Sequence, residues 1–439
     1  MMDTSNTVRN THRKRRSRQR RTGLAASVVV GALLLSGCTV QSDRNIVTLD
    51  FFQFKGEALE DFTQIIADFE AENPDIKVVQ NQVADADTAI RTRLVKNDVP
   101  DVITLNGNGG LGQLMRAGVF HDFTGDPLLD RINPAVQDIL ADIGFAKGEV
   151  NALGYVNNAN GVIYNRTIFE EQGLEPPETW DEFIEVCEKL ETAGITPFFG
   201  TLADSWTAMP SFNALGAYPA QGDFFDTMRE EGENVGPNSE VSFEKDFATA
   251  LEQQAELFSY AQDGYRGRTY DDGNAAFANG EVAMLMQGIW AINPVKGINP
   301  DIDAAIFPYP AADSPDERLL VSGVDVTVLI GKDTPHFDEA KRFVDYLFEA
   351  QVLEDFAASQ LMVPSVVDAE ISDDPALQSV KPYFDDEKIT GFIDHQIPPS
   401  IPLAAVIQQF LFDGDVDAAL KTLDNEWSKV ARRTIRSGE

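Results

Sequence analysis

The chain of 439 residues is 43% hydrophobic and carries 71 Asp and Glu against 35 Lys and Arg, a net charge of −36. This length and composition are typical of a globular chain of about two domains. The excess of acid argues against nucleic acid and anionic membrane surfaces as partners, because both bind a basic protein face.

The N-terminal segment differs from the rest of the chain in charge and hydropathy. Residues 9–21 hold eight basic residues, and the apolar run over 24–35 is shorter than the roughly 20 residues that span a bilayer. This order is typical of an export signal, so we expect residues 1–37 to be removed rather than retained as a membrane anchor. Because that segment holds eight basic residues and one acid, the remainder has 27 basic and 70 acidic residues, a net charge of −43.

Cys38, one of two cysteines, closes this segment. The stretch "LSGC" that ends at Cys38 resembles the lipobox of bacterial lipoproteins, whose cysteine is lipidated and becomes the new N-terminus. The resemblance implies lipid attachment at Cys38, with residues 38–45 as a tether. A disulfide to Cys187 is the alternative. Arg20-Arg21 raises the twin-arginine export route, although polar residues follow where that signal has apolar ones.

Strands and helices alternate in the sequence that follows. β-branched and aromatic residues predict a strand over 46–54, and apolar residues at helical spacing predict a helix over 59–69. A second strand, a buried strand over 102–105 and a helix over 111–117 come next. This alternation predicts a mostly parallel sheet covered by helices.

The remainder of the chain repeats the pattern. A strand is predicted over 160–165, and the stretch "TWDE" predicts a capping box that starts a helix at Trp180. A long helix is predicted over 243–262, followed by the buried strand "VAMLMQ" and another strand over 322–330. A last amphipathic helix is predicted over 416–430.

Catalytic and metal-binding motifs have little support. Beyond residue 37 the histidines are His121, His336 and His395, and none has a partner at the spacing of zinc sites. No nucleophile elbow or phosphate-binding loop is present. The stretch "FDGDVD" begins like a calcium loop but departs from it at the sixth and twelfth positions, so Asp415 is expected to cap a helix. We therefore predict no cofactor, no metal and no enzymatic activity.

Polar and aromatic residues follow several of the predicted strands. Open α/β sheets bind ligands at the carboxyl ends of their strands, and sugar sites combine aromatic faces with amides and carboxylates. We predict a ligand site made of Gln53, Lys55, Asn106, Asn108, Asn158, Asn160, Asp204, Trp206, Trp290 and Asp325. Each Asn has an alternative as a turn residue, and each Trp as core. Core packing is predicted for Trp180 and Trp427, and the face to which Asp325 points is left open.

From about residue 46 to 430 the chain resembles the extracellular solute-binding proteins of ATP-driven sugar importers, the type 1 family that includes maltose-binding protein. The resemblance rests on the order of "FTQIIADFEAENPDIKV", "NDVPDVITLN", "GVIYNRTIFEEQGLEPPETWDEF" and "FANGEVAMLMQGIWAI" behind the lipobox-like motif. It implies an α/β fold of the type II periplasmic-binding class, with two lobes, a multi-segment hinge and a central cleft. Trp290 matches a position that stacks on sugar in many members.

The resemblance also implies domain boundaries and partners. Lobe one is expected at 46–156 plus 320–361, and lobe two at 157–319 plus 362–439. The chain would be a monomer, held at the outer face of the cell membrane by lipid on Cys38. It would capture a sugar or oligosaccharide by hinge closure and deliver it to the permease of an ABC transporter.

Other functions stay open at this point. An exported glycan hydrolase would use a carboxylate pair among the many acids, and an adhesive surface lipoprotein would lack a closing cleft. A binding protein for a glycerol phosphodiester would need cations in the cleft, where Lys55 alone is available. A polyamine-binding protein would need acids near aromatic residues, such as Asp204 and Asp325.

Overall fold

A computed structural model describes residues 46–83, 86–312 and 314–437, with side chains described as far as residue 432. The expected export signal, the tether and Cys38 lie outside these residues. The strands of the described residues are β1 (Val47–Gln53), β2 (Ile76–Gln82), β3 (Val102–Leu105), β4 (Leu153–Asn157), β5 (Asn160–Asn165), β6 (Thr196–Phe198), β7 (Val282–Gly288), β8 (Ala304–Phe307), β9 (Leu320–Val321), β10 (Val324–Ile330), β11 (Val363–Pro364) and β12 (Ile389–Thr390).

Helices cover these strands. They are α1 (Leu59–Glu72), α2 (Ala86–Val95), α3 (Gly109–Arg116), α4 (Pro134–Gly144), α5 (Arg166–Gln172), α6 (Trp180–Thr192), α7 (Met209–Gly216), α8 (Phe224–Glu231), α9 (Phe243–Asp246), α10 (Ala248–Ser259), α11 (Tyr270–Ala278), α12 (Ile292–Ile298), α13 (Phe337–Leu347), α14 (Ala350–Gln360), α15 (Pro375–Asp385), α16 (Leu403–Asp413) and α17 (Val416–Ser437). Within the described ranges, no helix combines the length and the apolar character needed to cross a membrane.

The strands form two sheets. The first has the order β11-β4-β10-β3-β1-β2, and the second has the order β12-β9-β5-β7-β6 with β8 paired to β5. Only the pairs β1–β2, β1–β3, β9–β12 and β6–β7 are parallel among the pairings of the described residues. The expectation of a mostly parallel sheet is confirmed for β1, β2 and β3, the strands from which it was drawn. It is wrong for each sheet as a whole, because strands that pass from one sheet to the other return antiparallel to their neighbours.

Apolar faces of the helices pack on both sheets. In α1 the residues at helical spacing, Phe62, Ile65, Ile66 and Phe69, are buried. Phe62 meets Phe51 of β1 edge-on, with ring centroids 5.2 Å apart, and Phe343 of α13 meets Phe51 at 5.4 Å. These contacts pack α1 and α13 on the first sheet, and edge-to-face aromatic pairs add stability beyond the burial of apolar area.

The chain crosses between the sheets in short segments. β4 ends at Asn157 in the first sheet and β5 starts at Asn160 in the second, while β9 ends at Val321 and β10 starts at Val324 in the reverse direction. A third crossing follows β11, because β12 lies in the second sheet. Compared with the expected lobes, β9 belongs to the second sheet and β11 to the first. Each of these strands has two residues, too few for a periodic pattern.

Local details of the sequence prediction meet different outcomes. Asp415 caps α17 through a 3.0 Å bond from the backbone N–H of Ala418, as predicted. The capping box of α6 is half formed: Thr179 accepts from the Glu182 N–H, but the Glu182 carboxylate accepts from the N–H of Glu178. The long helix predicted over 243–262 is broken at the fully buried Phe247.

The two tryptophans that were assigned to the core differ in depth. Trp427 is 4% exposed and donates its indole N–H to the carbonyl of Met228. Trp180 is half-buried, meets Phe183 edge-on and donates to Glu256.

Candidate functional site

The short crossings place one edge of each sheet against the other. At the first sheet's edge, β1 and β3 end while the antiparallel β10 begins and β4 ends, since Val324 pairs with Asn157. At the second sheet's edge, β7 and β9 end beside the start of β5, because Asn160 pairs with both Gly288 and Val321. Two-residue links therefore join the two edges, and the loops that leave them enclose a cleft.

Asp325 is the centre of a polar cluster at the first edge. Lys55 Nζ donates to Asp325 Oδ2 at 2.8 Å and to Glu57 Oε1 at 2.9 Å. Asn106 Nδ2 donates to the Asp325 carbonyl at 3.1 Å, and Asn158 Nδ2 lies 3.5 Å from Asp325 Oδ1. Four of the ten predicted site residues are thus brought together by three strand ends and one crossing.

Lys55 is held as a cation within this cluster. Its side chain is 7% exposed and that of Asp325 is 14% exposed. Burial acts to lower the pKa of Lys55, but the charge of Asp325 and the hydrogen bonds to both carboxylates outweigh it, so the pKa lies above its ordinary value. The ammonium group of Lys55 is therefore charged and paired with the carboxylates of Asp325 and Glu57.

Asn158 ties the cluster to the crossing segments. Its Oδ1 accepts from the backbone N–H of Gly323 at 2.9 Å, and its carbonyl accepts from the Ser322 hydroxyl at 2.7 Å. Its backbone N–H donates to the Gly323 carbonyl. The first and second crossings are consequently bonded to each other directly beside Asp325.

The two other predicted residues of the first edge behave differently. Asn108 Oδ1 accepts from the N–H groups of Gly110 and Leu111, so it caps α3, which is the turn role weighed for each Asn. Gln53 is fully buried, and neither of its amide atoms has a partner among the described residues. An amide that is buried without partners costs about 1–3 kcal/mol, so the Gln53 amide at the end of β1 has hydrogen-bonding capacity that the described residues do not use.

Trp290 forms the opposite wall of the cleft. Its ring lies over Gly288, where an added Cβ would be 2.1 Å from the ring, and its Nε1 donates to Gln287. Glycine is therefore required beneath the indole. A crevice of about 510 Å³ is lined by Trp290, Asn293 and Pro294 on this side, and by Lys55, Glu57, Glu60, Asp61, Ser359, Gln360 and Met362 on the other.

The remaining predicted residues of the second edge support a second aromatic surface. Trp206 is 43% exposed, and its ring lies 5.0 Å from that of Tyr270. Asp204 Oδ2 accepts from the Tyr270 N–H at 2.8 Å, so its carboxylate positions this pair. Asn160 is buried and donates to the Pro210 carbonyl, which places it in the structural frame.

Sequence reasoning missed Tyr270, Phe392 and His395. Tyr270 follows Thr269, which forms a capping box with Asp272, and that pattern was visible in the sequence. Phe392 and His395 follow β12, and a strand of two residues gives no periodic signal. Their location at the second edge depends on the third crossing.

The crevice has an acidic character. Glu57, Glu60 and Asp61 line it, and Lys55, the one cation among its described lining residues, is already paired. Such a lining opposes anionic ligands, because like charges at close range disfavour binding. Within the described part of the chain, no group of three His, Cys, Asp or Glu side chains has the arrangement to hold a metal ion.

Comparison with known proteins identifies a family and a fold. The family model for "Bacterial extracellular solute-binding protein" matches residues 56–354. The multiple sugar-binding protein of Streptococcus mutans is 30% identical over 344 residues, which are 76% of this chain and 80% of that protein. The apo-form of RafE from Streptococcus pneumoniae is 25% identical, with a TM-score of 0.77 over 88% of this chain and 98% of RafE.

A second RafE structure carries raffinose. It is also 25% identical to this chain, with a TM-score of 0.72 over 87% of this chain and all of RafE. The α/β architecture predicted from the sequence is confirmed by these structural matches.

Proposed function

Because this chain belongs to the family of bacterial extracellular solute-binding proteins, we propose that it captures a neutral sugar or oligosaccharide in the crevice beside Trp290. The observation that carries the proposal is the pairing of an aromatic wall with a polar wall across one crevice. An indole face stacks on the C–H face of a sugar ring, while amides and carboxylates hydrogen-bond its hydroxyls. The sugar-binding relatives and the raffinose complex of RafE support this choice.

Capture would proceed by closure of two lobes. The lobes would be close to the expected 46–156 plus 320–361 and 157–319 plus 362–439, with their limits shifted to the crossings after β9 and β11. A ligand that contacts both walls stabilises the closed state by the contacts that the open state lacks. Asn158 and Gly323, bonded to each other at the crossings, are the natural pivot.

The proposal includes delivery and anchoring. The protein would be exported and tethered by lipid on Cys38, and it would pass its ligand to the permease of an ABC importer as a monomer. The lipobox-like "LSGC" motif and the family support this part. It is tested by mass spectrometry of the N-terminal peptide and by cell fractionation of a Cys38→Ser variant, which should leave the membrane fraction.

A phosphodiester ligand is disfavoured by the acids of the crevice, since Lys55 is already paired with Asp325 and Glu57. A cationic ligand such as a polyamine is the second candidate, because the same acids lie near Trp290. We propose no reaction at this site, and the relatives that match the chain are named as binding proteins.

A thermal unfolding screen of the full chain tests these alternatives. The ligands are mono- and oligosaccharides, a glycerol phosphodiester and a polyamine, and each hit is repeated by calorimetry with chromatography of the ligand afterwards. A ligand at 100 times its Kd adds about 2.7 kcal/mol to the free energy of unfolding. A shift with a sugar that is recovered intact supports the proposal. A shift with the polyamine alone overturns the sugar assignment, and cleavage of the sugar identifies a hydrolase.

A further inference from the structure

The segment 391–396 leaves the second sheet at the cleft. β12 runs parallel to β9, with Thr390 opposite Val321, so both strands end at the edge that faces the first sheet. The next residues form a short 3₁₀ turn at Ile393–Gln396. This segment therefore enters the cleft beside the second crossing, and none of its residues was among the predicted site.

The segment contacts elements of the first sheet as well. A Cβ added to Gly109, at the start of α3, would lie 2.8 Å from the carbonyl oxygen of His395. A Cβ added to Gly391 would lie 3.2 Å from a side-chain carbon of Ile139 in α4. Since α3 and α4 cover the first sheet, the segment touches both sides of the cleft.

Aromatic rings connect the segment to Trp290. The rings of Trp290 and Phe392 are 6.3 Å apart at 49°, and those of Phe392 and His395 are 5.3 Å apart at 37°. Phe392 lies against Gly323, where a Cβ would be 2.8 Å from the ring. The three rings form a row that runs from the crevice past the crossing.

Two polar atoms in the segment lack partners. His395 Nδ1 and Asp394 Oδ1 are shielded from solvent and accept or donate no hydrogen bond among the described residues. His395 Nε2 is 3.8 Å from Asp394 Oδ1, too far for a hydrogen bond. Asp394 also lines a pocket of about 390 Å³ together with Ser205 and Met209, next to Trp206.

We propose that segment 391–396 determines which sugar is bound. Phe392, which is 9% exposed, packs behind the ring of Trp290, and His395 and Asp394 hydrogen-bond sugar hydroxyls. This inference rests on the proposed function and extends the site from the Trp290 crevice, which none of the three residues lines, to the pocket that Asp394 lines. The ligand class is a neutral sugar whose hydroxyls supply both a donor and an acceptor, because an imidazole nitrogen and a carboxylate oxygen would be satisfied together.

The position of the segment also explains why it would discriminate rather than only add affinity. A buried polar group that a wrong ligand leaves unpaired imposes a penalty, whereas a stacking surface accepts many sugars. Because the segment touches α3 and α4, an ill-fitting sugar at His395 would also oppose the approach of Gly109. Specificity and closure therefore depend on the same contacts.

The test compares His395→Ala and His395→Asn with the control His121→Asn in the full chain. His121 lies beside the far end of β10, where its N–H donates to the Ile330 carbonyl, and it packs on Phe123 and Phe337 away from the cleft. The Kd values of melibiose, raffinose and stachyose are measured by calorimetry, with the free energy of unfolding of each variant. Loss of one hydrogen bond is expected to raise Kd about tenfold for the preferred sugar.

The ratio of Kd values among the three sugars decides the outcome. The proposal requires that His395→Ala lowers this ratio at least about threefold, that His395→Asn restores part of it, and that His121→Asn changes nothing. An equal loss for all three sugars, or no loss in a variant that is as stable as the wild type, would overturn it. If the wild type binds no sugar at all, the proposed function fails instead, so the two failures are distinguishable.

Discussion

The two edges of the cleft differ in the kind of side chain they present and in how their polar atoms are paired. The first edge is polar, and around Asp325 its side chains bond to one another, with Lys55 and Asp325 paired and Asn106 bonded to the same residue, while the Gln53 amide beside them has no partner among the described residues. The second edge is aromatic, and it presents Trp206 and Trp290 together with polar atoms that have no partner among the described residues. At the first edge the Lys55–Asp325 cluster is stabilised by bonds among its own side chains. The aromatic faces of the second edge remain available to contact a ligand.

This difference separates stability from recognition. Removing a group from the first edge leaves a buried charge or amide without its partner, so the folded state should be destabilised. Removing a ring from the second edge takes away an aromatic surface without leaving a buried charge unpaired, so we expect ligand binding to suffer more than stability.

The largest effect is expected from Lys55→Met. It leaves the Asp325 carboxylate, 14% exposed, without its cation, and we expect the free energy of unfolding to fall by about 3 kcal/mol. Urea unfolding measures the change. The matched control is Lys77→Met, because Lys77 is 55% exposed and its pair with Glu70 should contribute less than about 1 kcal/mol. Equal losses of unfolding free energy in the two variants would show that the Lys55–Asp325 pair stabilises the protein no more than a surface ion pair does.

Trp290→Ala tests the second edge. Its indole lines the crevice, so we expect the Kd of a bound sugar to rise about thirtyfold, or about 2 kcal/mol, with little change in unfolding. Calorimetry gives the Kd. Trp180→Ala is the control, since Trp180 binds Glu256 and does not line the crevice. A stability loss in Trp290→Ala as large as that of Lys55→Met would erase the distinction between the edges.

Gly109→Ala asks whether the edges must approach closely. The added Cβ would meet the His395 carbonyl at 2.8 Å, so it should push α3 away from segment 391–396, a contact on which we propose that closure depends, and Kd should rise about fivefold. Small-angle scattering should detect a larger radius with ligand than in the wild type. Gly297→Ala, in a helix with open space around the position, should leave both values unchanged. An unaltered Kd in Gly109→Ala would mean that the edges do not need this contact.

The smallest effect is expected from pH. The raised pKa of Lys55 keeps its contribution to stability fully present below its unfolded-state pKa of about 10.4, with loss only as pH rises through the folded-state value. For Glu57, burial raises the pKa but the bond from Lys55 lowers it below its ordinary value, so its contribution is lost only as pH falls through that folded-state pKa. The stability difference between wild type and Lys55→Met should therefore stay constant from about pH 6 to about pH 9. A steep change within that range would place another titrating group at the first edge.

The sequence predicted much of the frame. Apolar spacing located α1, and the β-branched stretches located β1, β3 and β10. It failed where local signals are short or ambiguous: β9, β11 and β12 have two residues each, and Phe247 interrupts a pattern that reads as one helix. The sequence also failed to predict the antiparallel strand pairs, because these follow from the crossings between the two sheets.

The sequence predicted which residues belong to the candidate site better than it predicted the role of each residue. The rule that ligands meet the ends of strands selected Lys55, Asn106 and Trp290, which line or adjoin the cleft. It could not tell that Asn108 caps a helix, since the same Asn serves a turn, a cap or a ligand. It also left open the direction of Asp325, which alternation alone places opposite Val324 and Val326.

The sequence by itself determined the repeated strand and helix pattern, the acidic charge and the position of Trp290 after a buried strand, because these depend on residues that are neighbours along the chain. Only the tertiary structure decided that Lys55 meets Asp325 across 270 positions, and that Phe392 lies against Trp290 and Gly323. Such contacts follow from the packing of separate elements and from where the chain crosses between sheets. No local sequence pattern predicts these contacts, so only the tertiary fold brings the residues of the site together.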